Sequence, residues 1–152
     1  CWSAFVDDES RGTGELVQAF PGTSITNGGG IWIRRAERIV SDPLFSRDSL
    51  CLLVKGSQFR LGVWRQLLDT AFGALTSYGR IAGRLGDVNA SRAVGAAVGA
   101  NPIAFFIPCH RVVNADGTSG HFRWGAERKK AMIAWEKKVM NGPSPGEASG
   151  RE

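Results

Sequence analysis

The sequence has few of the residues that build disulfides, metal sites or membrane spans. Its three cysteines are far apart and form no CxxC pair, so neither a disulfide framework nor a zinc ribbon is indicated. The two histidines are His110 and His121, so residues 1–56 cannot supply a zinc site with histidine ligands. No apolar run approaches the length of a membrane span, and the N-terminus lacks the basic-then-apolar order of a signal peptide. We therefore expect a cytoplasmic protein without a metal and without membrane contact.

The apolar content and the distribution of charge are more informative. The 152 residues, 43% of them hydrophobic, suit one domain with a small appendage. Residues 60–130 contain ten Lys and Arg against four Asp and Glu, whereas residues 1–59 contain six against seven and residues 131–152 three against three. This concentration favours one basic face and an anionic partner, although a net charge of +5 is also common in proteins that bind no nucleic acid.

The N-terminal part has weak patterns. A short helix is predicted around residues 15–20 and an amphipathic helix over residues 31–40, stopped before Pro43. The apolar run 50–54 is compatible with a buried strand or a packed linker. Since residue 1 is Cys, we expect the chain to start inside a longer gene product or after processing.

Stronger signals begin after residue 56. Ser57 can cap a helix over residues 58–72, and a final helix is predicted over residues 126–139. The apolar run 103–107 predicts a buried strand. A closing segment rich in Gly, Pro and Ser predicts disorder. We expect three parts: a short or divergent portion over residues 1–56, a main domain over residues 57–140 and a tail over residues 141–152.

Two short helices with a tight turn between them give the outline of a helix-turn-helix over about residues 77–100. Thr76 or Ser77 can cap the first helix, and Gly86 stands where a helix-ending glycine belongs. The second helix, over residues 90–100, consists almost wholly of small residues, which allow close approach to another helix or to a nucleic-acid groove. It offers few side chains for reading bases, and an ordinary helical hairpin is the alternative.

Cys109 and His110 form the pair with the clearest chemistry. A thiolate is a strong nucleophile, and it needs a lowered pKa or an adjacent base in order to form. Pro108 ends the predicted strand, so the pair would emerge at a strand end. A buried inert cysteine is one alternative, because neighbours on an extended segment point to opposite sides. A cysteine hydrolase is another, but no oxyanion-hole motif is apparent.

Several spaced motifs occur in one order between about residues 59 and 136. They are Ser77-Tyr78-Gly79, Ser91-Arg92-Ala93-Val94-Gly95, Asn101-Pro102, Pro108-Cys109-His110-Arg111-Val112-Val113, Gly120-His121-Phe122-Arg123-Trp124-Gly125 and Glu127-Arg128-Lys129. In these motifs the chain resembles the O6-alkylguanine-DNA alkyltransferases, and the last two resemble the bacterial Ada-type branch of that family.

The resemblance implies an α+β fold. A mainly helical C-terminal alkyltransferase domain would contain the helix-turn-helix. A short or truncated N-terminal α/β portion would precede it, because residues 1–56 are short for the longer α/β domain that the family usually places there.

The resemblance also implies a reaction and the residues that perform it. Cys109 would accept the alkyl group from guanine O6 irreversibly, in a single turnover and without a cofactor. His110 would act as base through a bound water, Glu136 would orient the imidazole, and Asn101 would hold the turn near the cysteine. Taken without the resemblance, Glu136 is more simply a solvated helix carboxylate.

Double-stranded DNA containing O6-alkylguanine is the implied partner, bound by a monomer through the minor groove. The alkylated base must leave the stack before a thiolate reaches it. Arg92 would fill the vacated stack, and Tyr78 would press on the 3′ phosphate of the target. The implied DNA-binding residues are Tyr78, Ala90, Ser91, Arg92, Gly95 and Ala96, and the implied pocket residues are Tyr78, Ser119, Gly120, His121 and Phe122.

The chain departs from the family pattern in the predicted pocket. Phe122 replaces the commoner tyrosine, and Trp124 stands where many members carry glycine; apolar stacking should survive the first change. Two other functions are compatible with the resemblance. One is a module that binds alkylated bases without reacting, and the other is a remnant of an Ada-like transcriptional regulator.

Overall fold

The computed structural model describes residues 3, 5–22, 24, 25, 28, 30–44, 46 and 49–142. These residues fall into two compact units, one within residues 6–54 and the other formed by residues 3 and 5 with residues 55–142. The predicted tail lies outside the described residues beyond Gly142. None of the described helices combines the length and the apolar character that crossing a bilayer requires.

The first unit contains two helices, α1 (Glu9–Ala19) and α2 (Ile31–Ser41). Helix α1 begins well before the predicted residues 15–20, because the Asp8 carboxylate accepts a hydrogen bond from the Ser10 amide and caps it. Helix α2 confirms the predicted helix to within one residue. The described part of this unit contains no strand.

The run 50–54, which joins the two units, forms neither a helix nor a strand. Of the two interpretations of this run, a buried strand or a packed linker, the buried strand is wrong, and Leu53 is 80% exposed. An apolar run of this length does not by itself show whether a second layer will cover it.

The second unit contains the remaining regular elements. Its helices are α3 (Gln58–Leu68), α4 (Tyr78–Arg84), α5 (Ser91–Gly99) and α6 (Ala126–Met140), and its short strands are β1 (Thr76–Ser77) and β2 (Val112–Val113). The core lies between α3, α4, α5 and the segment around β2. Its most buried apolar side chains are Val63, Leu67, Ile81, Ala82, Val94, Ile103, Ile107 and Val112.

Helices α4 and α5 form the predicted helix-turn-helix. Ser77 Oγ accepts a hydrogen bond from the Arg80 amide and caps α4, and Gly86 follows the helix with φ +88°, a conformation that glycine adopts without strain. Trp64 of α3 donates through Nε1 to the Ala97 carbonyl at 2.9 Å. This bond and the burial of Val94 fix α5 against α3.

Helix α3 ends at Leu68, four residues before the predicted end at residue 72. The chain turns there, and Gly73 has φ +73°. The backbone between Thr70 and Gly73 makes hydrogen bonds with Arg111 and Glu136 instead of continuing the helix. Hydrogen bonds to residues distant in the sequence therefore override the local helical pattern.

The two short strands pair in parallel, with Thr76 opposite Val112 and Ser77 opposite Val113. Strand β1 leads directly into Tyr78, and β2 directly follows the Cys109–Arg111 turn, a single turn of 3₁₀-helix. This pairing therefore brings the start of the helix-turn-helix beside the cysteine.

The predicted buried strand over residues 103–107 is wrong. Ile103 makes an isolated bridge with Ser3, and the segment then turns, with Phe105 at φ 70°. The segment is largely buried, as the apolar run indicated, but the Asn101 side chain, rather than a neighbouring strand, binds the carbonyls of Ile103 and Ile107.

Candidate active site

Cys109 is held by the side-chain amide of Asn101. Asn101 Nδ2 lies 3.1 Å from Cys109 Sγ, 2.8 Å from the Ile107 carbonyl and 3.2 Å from the Ile103 carbonyl. Its Oδ1 accepts from the Ile103 amide at 3.0 Å. Asn101 is completely buried, so one side chain organises the turn and orients the sulfur without access to water.

Cys109 is only 2% exposed. Burial raises the pKa of Cys109, and the Asn101 hydrogen bond and the positive charge of Lys129 oppose that rise. A buried thiol of this kind is protonated near neutral pH and needs a base before it can act as a nucleophile.

His110 has one ring nitrogen paired and one unpaired. Nε2 lies 2.7 Å from Glu136 Oε1, and both side chains are buried. Nδ1 is buried and has no hydrogen-bond partner among the described residues. Nε2 donates a hydrogen bond to the carboxylate and so carries the proton of the neutral imidazole. Nδ1 is then the nitrogen that can accept a proton.

Glu136 also binds two groups besides the imidazole. Arg111 donates to it through Nε and Nη2 at 2.8–3.1 Å, and the Gly73 amide donates at 3.0 Å. Burial alone would raise the pKa of Glu136, but the hydrogen bonds and positive charges of His110 and Arg111 outweigh burial and lower it to about 2. Glu136 is therefore a buried carboxylate ion, and the interpretation as a solvated carboxylate is excluded.

The aromatic ring of Phe105 lies beside the imidazole. The ring of Phe105 stacks near that of His110, with centroids 6.4 Å apart and planes at 18°, and it also contacts Trp135. Phe105 is the one described residue other than glycine with positive φ. The strained backbone at Phe105 accompanies the nearly parallel placement of its ring beside the imidazole.

Lys129 of α6 is completely buried. Its Nζ donates to the Val112 carbonyl at 2.6 Å and to the Ser119 carbonyl. Burial lowers the pKa of Lys129, and the nearby Cys109 opposes this shift. The ammonium thus joins the segment after the cysteine to residues 119–125, which we call the pocket loop.

Tyr78 lies between α5 and the pocket loop. A Cβ atom added at Gly95 would lie 3.8 Å from its ring, and one added at Gly120 would lie 2.9 Å from its hydroxyl. Burial and the neighbouring Cys109 raise the pKa of Tyr78. In the same loop, Phe122 is buried and His121 is exposed, and the buried Ser119 hydroxyl has no partner within the described part of the chain.

Of the predicted DNA-binding residues, Tyr78 begins α4 and the other five lie on α5 or at its start. Arg92 and Ala96 are exposed, whereas Ala90, Ser91 and Gly95 are half-buried. The structure therefore separates the predicted residues into a buried cluster around Cys109 and a helix face directed outward. Across the described residues, no group of His, Cys, Asp and Glu is arranged to hold a metal ion.

Sequence reasoning gave no role to Lys129 or Arg111. Lys129 and Glu136 are seven residues apart, which places them on the same face of α6. The same helix also carries exposed lysines such as Lys130, so spacing alone does not show which lysine is buried.

The fold and the site together define a protein in which a helix-turn-helix stands beside a buried Cys–His–Glu cluster. The family described as 6-O-methylguanine DNA methyltransferase, DNA binding domain, matches residues 58–138, more than half of the chain. The chain belongs to this family.

Individual relatives agree with this assignment. The chain is 35% identical to the bifunctional transcriptional activator/DNA repair enzyme Ada of Escherichia coli (strain K12) over 86% of this chain and 37% of that protein. It is 44% identical to the methylated-DNA–protein-cysteine methyltransferase of Mycobacterium bovis over 55% of this chain and 51% of that protein. It therefore spans about half, or less, of the length of these relatives.

A solved structure has the same fold. The crystal structure of Mycobacterium tuberculosis OGT in complex with DNA matches with a TM-score of 0.66 at 35% identity, over 70% of this chain and 68% of that chain.

Proposed function

We propose that this protein repairs DNA by moving an alkyl group from guanine O6 to Cys109 Sγ in a single, irreversible turnover. The observation that carries the proposal is the arrangement around the sulfur. Asn101 orients Cys109 at 3.1 Å, and the next residue, His110, is paired with Glu136 at 2.7 Å. Relatives named methylated-DNA–protein-cysteine methyltransferases support it.

The pair of His110 and Glu136 supplies the base that the buried thiol needs. Glu136 accepts a hydrogen bond from Nε2–H of the neutral imidazole and stabilises the imidazolium that forms when Nδ1 takes the thiol proton through a bridging water. Arg111 keeps the carboxylate ionised throughout.

Bond changes in the transfer are balanced. Cys109 Sγ attacks the alkyl carbon on guanine O6, the sulfur–carbon bond forms as the carbon–oxygen bond breaks, and the electron pair leaves with O6. The proton that His110 takes from the thiol balances the one that guanine acquires. The products are a thioether and ordinary guanine, and since the thioether is stable the protein does not turn over.

The helix-turn-helix supplies the DNA contact in this proposal. A base inside a stacked duplex cannot reach a cysteine that is 2% exposed, so the base must be extruded. The exposed face of α5 carries Arg92 and small residues such as Ala96, which suit insertion into a minor groove with Arg92 filling the vacated stack.

Two variants test the proposal and separate it from binding without reaction. Cys109→Ala should still bind DNA that contains O6-methylguanine but should leave the lesion intact, because only the acceptor is lost. Cys51→Ala, which changes an exposed cysteine, should repair the lesion at the wild-type rate. Gel-shift binding and chromatographic assay of the remaining O6-methylguanine measure the two steps. Repair by Cys109→Ala would overturn the proposal.

A further inference from the structure

The N-terminal segment of the second unit is fastened to the turn that precedes the cysteine. The Ser3 amide donates to the Pro102 carbonyl at 3.1 Å, and the Ala104 amide donates to the Ser3 carbonyl at 2.8 Å. Ser3 Oγ also donates to the Ala104 carbonyl at 3.1 Å. These bonds on both sides of Ile103 fix the position of the chain just before Phe5.

Phe5 then contacts the pocket loop. Its ring meets that of Trp124 edge to face, with centroids 6.1 Å apart and planes at 75°. Trp124 in turn meets Phe122 at 5.3 Å and 63°. The Arg128 guanidinium lies 5.7 Å from the Phe5 ring. A continuous row of aromatic contacts therefore runs from the N-terminal segment to the buried ring of Phe122.

The pocket loop is therefore attached on two sides. On the inner side, Lys129 Nζ binds the Ser119 carbonyl and lies 6.0 Å from the centroid of the Phe122 ring. On the outer side, the Trp124 ring packs against Phe5, and the Trp124 carbonyl accepts a hydrogen bond from Arg128 Nη1 at 3.2 Å. Gly120 and Gly125 have φ +61° and +97°, so glycines stand at both ends of the part that carries Phe122. We expect this part of the loop to pivot about these glycines more readily when the Phe5 contact is removed.

We propose that Phe5 is a positioning residue for the pocket loop and, by holding Trp124, sets how tightly the loop binds the alkylated base. The proposal rests on the proposed function, and it gives Trp124, a departure from the common family pattern, a specific task. Phe5 acts on the binding of the base and does not touch the sulfur. Its loss should therefore raise the half-saturating concentration of the substrate and leave the maximal rate of transfer nearly unchanged.

Single-turnover kinetics with free O6-benzylguanine, which carries a large aromatic alkyl group, tests this. Phe5→Ala should raise the half-saturating concentration about fivefold, the effect of losing an aromatic pair, and should change the maximal rate less than about twofold. Phe5→Trp should restore binding. Phe20→Ala removes a partly exposed phenylalanine from the first unit and should behave as wild type.

A double-mutant cycle shows whether Phe5 acts through Trp124. Trp124→Ala should raise the half-saturating concentration at least as much as Phe5→Ala does. Adding Phe5→Ala to Trp124→Ala should have no further effect. Hydrogen exchange of the loop amides in the free protein should rise in Phe5→Ala and not in Phe20→Ala. Phe5→Leu keeps apolar bulk without the ring and replaces Phe5→Ala if that variant does not fold.

The outcomes are distinguishable. A wild-type protein that transfers no alkyl group from benzylguanine or from methylated DNA overturns the proposed function, and this inference with it. If the wild type reacts and the Phe5 variants have the same half-saturating concentration as the wild type, this inference alone is overturned. Additive effects of Phe5→Ala and Trp124→Ala also overturn it, because Phe5 would then act by another route.

Discussion

His110 Nε2 and Arg111 Nη2 share a single acceptor, Glu136 Oε1, at 2.7 and 2.8 Å. Two neighbouring residues with different chemistry are thereby fixed by one buried carboxylate. Removal of this carboxylate would leave a guanidinium and an imidazole facing each other with no counter-charge between them. Under the proposed function, the stability of the fold and the transfer of the thiol proton therefore depend on the same side chain.

Glu136→Gln should lower the free energy of unfolding by about 3 kcal/mol near neutral pH, because it breaks a buried ion pair. The pKa of Glu136 falls from 4.5 to about 2 on folding, so its stabilisation is fully present above pH 4.5 and is lost as the pH falls towards 2. The difference between wild type and variant should shrink across that range in urea titrations.

Glu127→Gln is the matched control for that experiment. Glu127 lies on the same helix, is exposed and pairs with Lys130 at the surface. The control variant should unfold like wild type at every pH. The account would be contradicted if the difference in free energy of unfolding between wild type and Glu136→Gln stayed constant from about pH 5 to about pH 2.

Lys129→Met should make the Cys109 thiol harder to ionise. The positive charge of Lys129 opposes the rise that burial causes in the pKa of Cys109, so its removal should move that pKa upward. The pH dependence of Cys109 alkylation by iodoacetamide, followed by peptide mass analysis, measures the shift. Lys130→Met, which changes an exposed neighbour, should leave the midpoint in place. Equal midpoints in both variants would count against the assigned charge effect.

Gly120→Ala should destabilise the pocket loop in two ways. Its φ of +61° disfavours any side chain, and the added Cβ would lie 2.9 Å from the Tyr78 hydroxyl. Gly117 has a similar φ, +82°, but an added Cβ there would meet no atom within 4 Å. Gly117→Ala therefore measures the cost of the backbone conformation alone. We expect losses of about 1 kcal/mol for Gly117→Ala and about 2–3 kcal/mol for Gly120→Ala by thermal unfolding.

Tyr78→Phe tests whether the excess loss in Gly120→Ala comes from the clash with the Tyr78 hydroxyl. Since it removes the hydroxyl that the new Cβ would meet, it should recover most of the excess loss when combined with Gly120→Ala. A double variant as unstable as Gly120→Ala alone would show that the clash is not with Tyr78.

Arg92→Ala should slow repair of duplex DNA by about tenfold or more and should have much less effect on free O6-benzylguanine, because only the duplex requires extrusion of a base. Single-turnover rates on the two substrates measure the difference. Arg65→Ala, at an exposed arginine of α3, is the control for general loss of charge. Equal losses on both substrates in Arg92→Ala would argue against a wedge.

Local patterns were sufficient for much of the fold. Helix α2, the Ser77 cap, the turn at Gly86 and helix α6 all lie within one residue of the predicted positions, because each depends on neighbours along the chain. The resemblance also named Asn101, Cys109, His110 and Glu136, which the structure places in two hydrogen-bonded pairs, Asn101 with Cys109 and His110 with Glu136. Their chemical roles stay predictions.

The errors arise where distant residues decide the backbone. The run 103–107 is apolar enough for a strand, but the Asn101 amide takes two of its carbonyls and turns the chain. Helix α3 stops early because Gly73 donates to Glu136, more than sixty residues away. The burial of Lys129 likewise depends on two carbonyls that sequence spacing does not reveal.

The most direct test of the central claim is the mass of the intact protein after incubation with excess DNA that contains O6-methylguanine. The account predicts the gain of a single methyl group per folded molecule, located on Cys109 by fragmentation, with no further gain on longer incubation. A folded protein with unchanged mass, or a methyl group on Cys51 or any other residue, would contradict it.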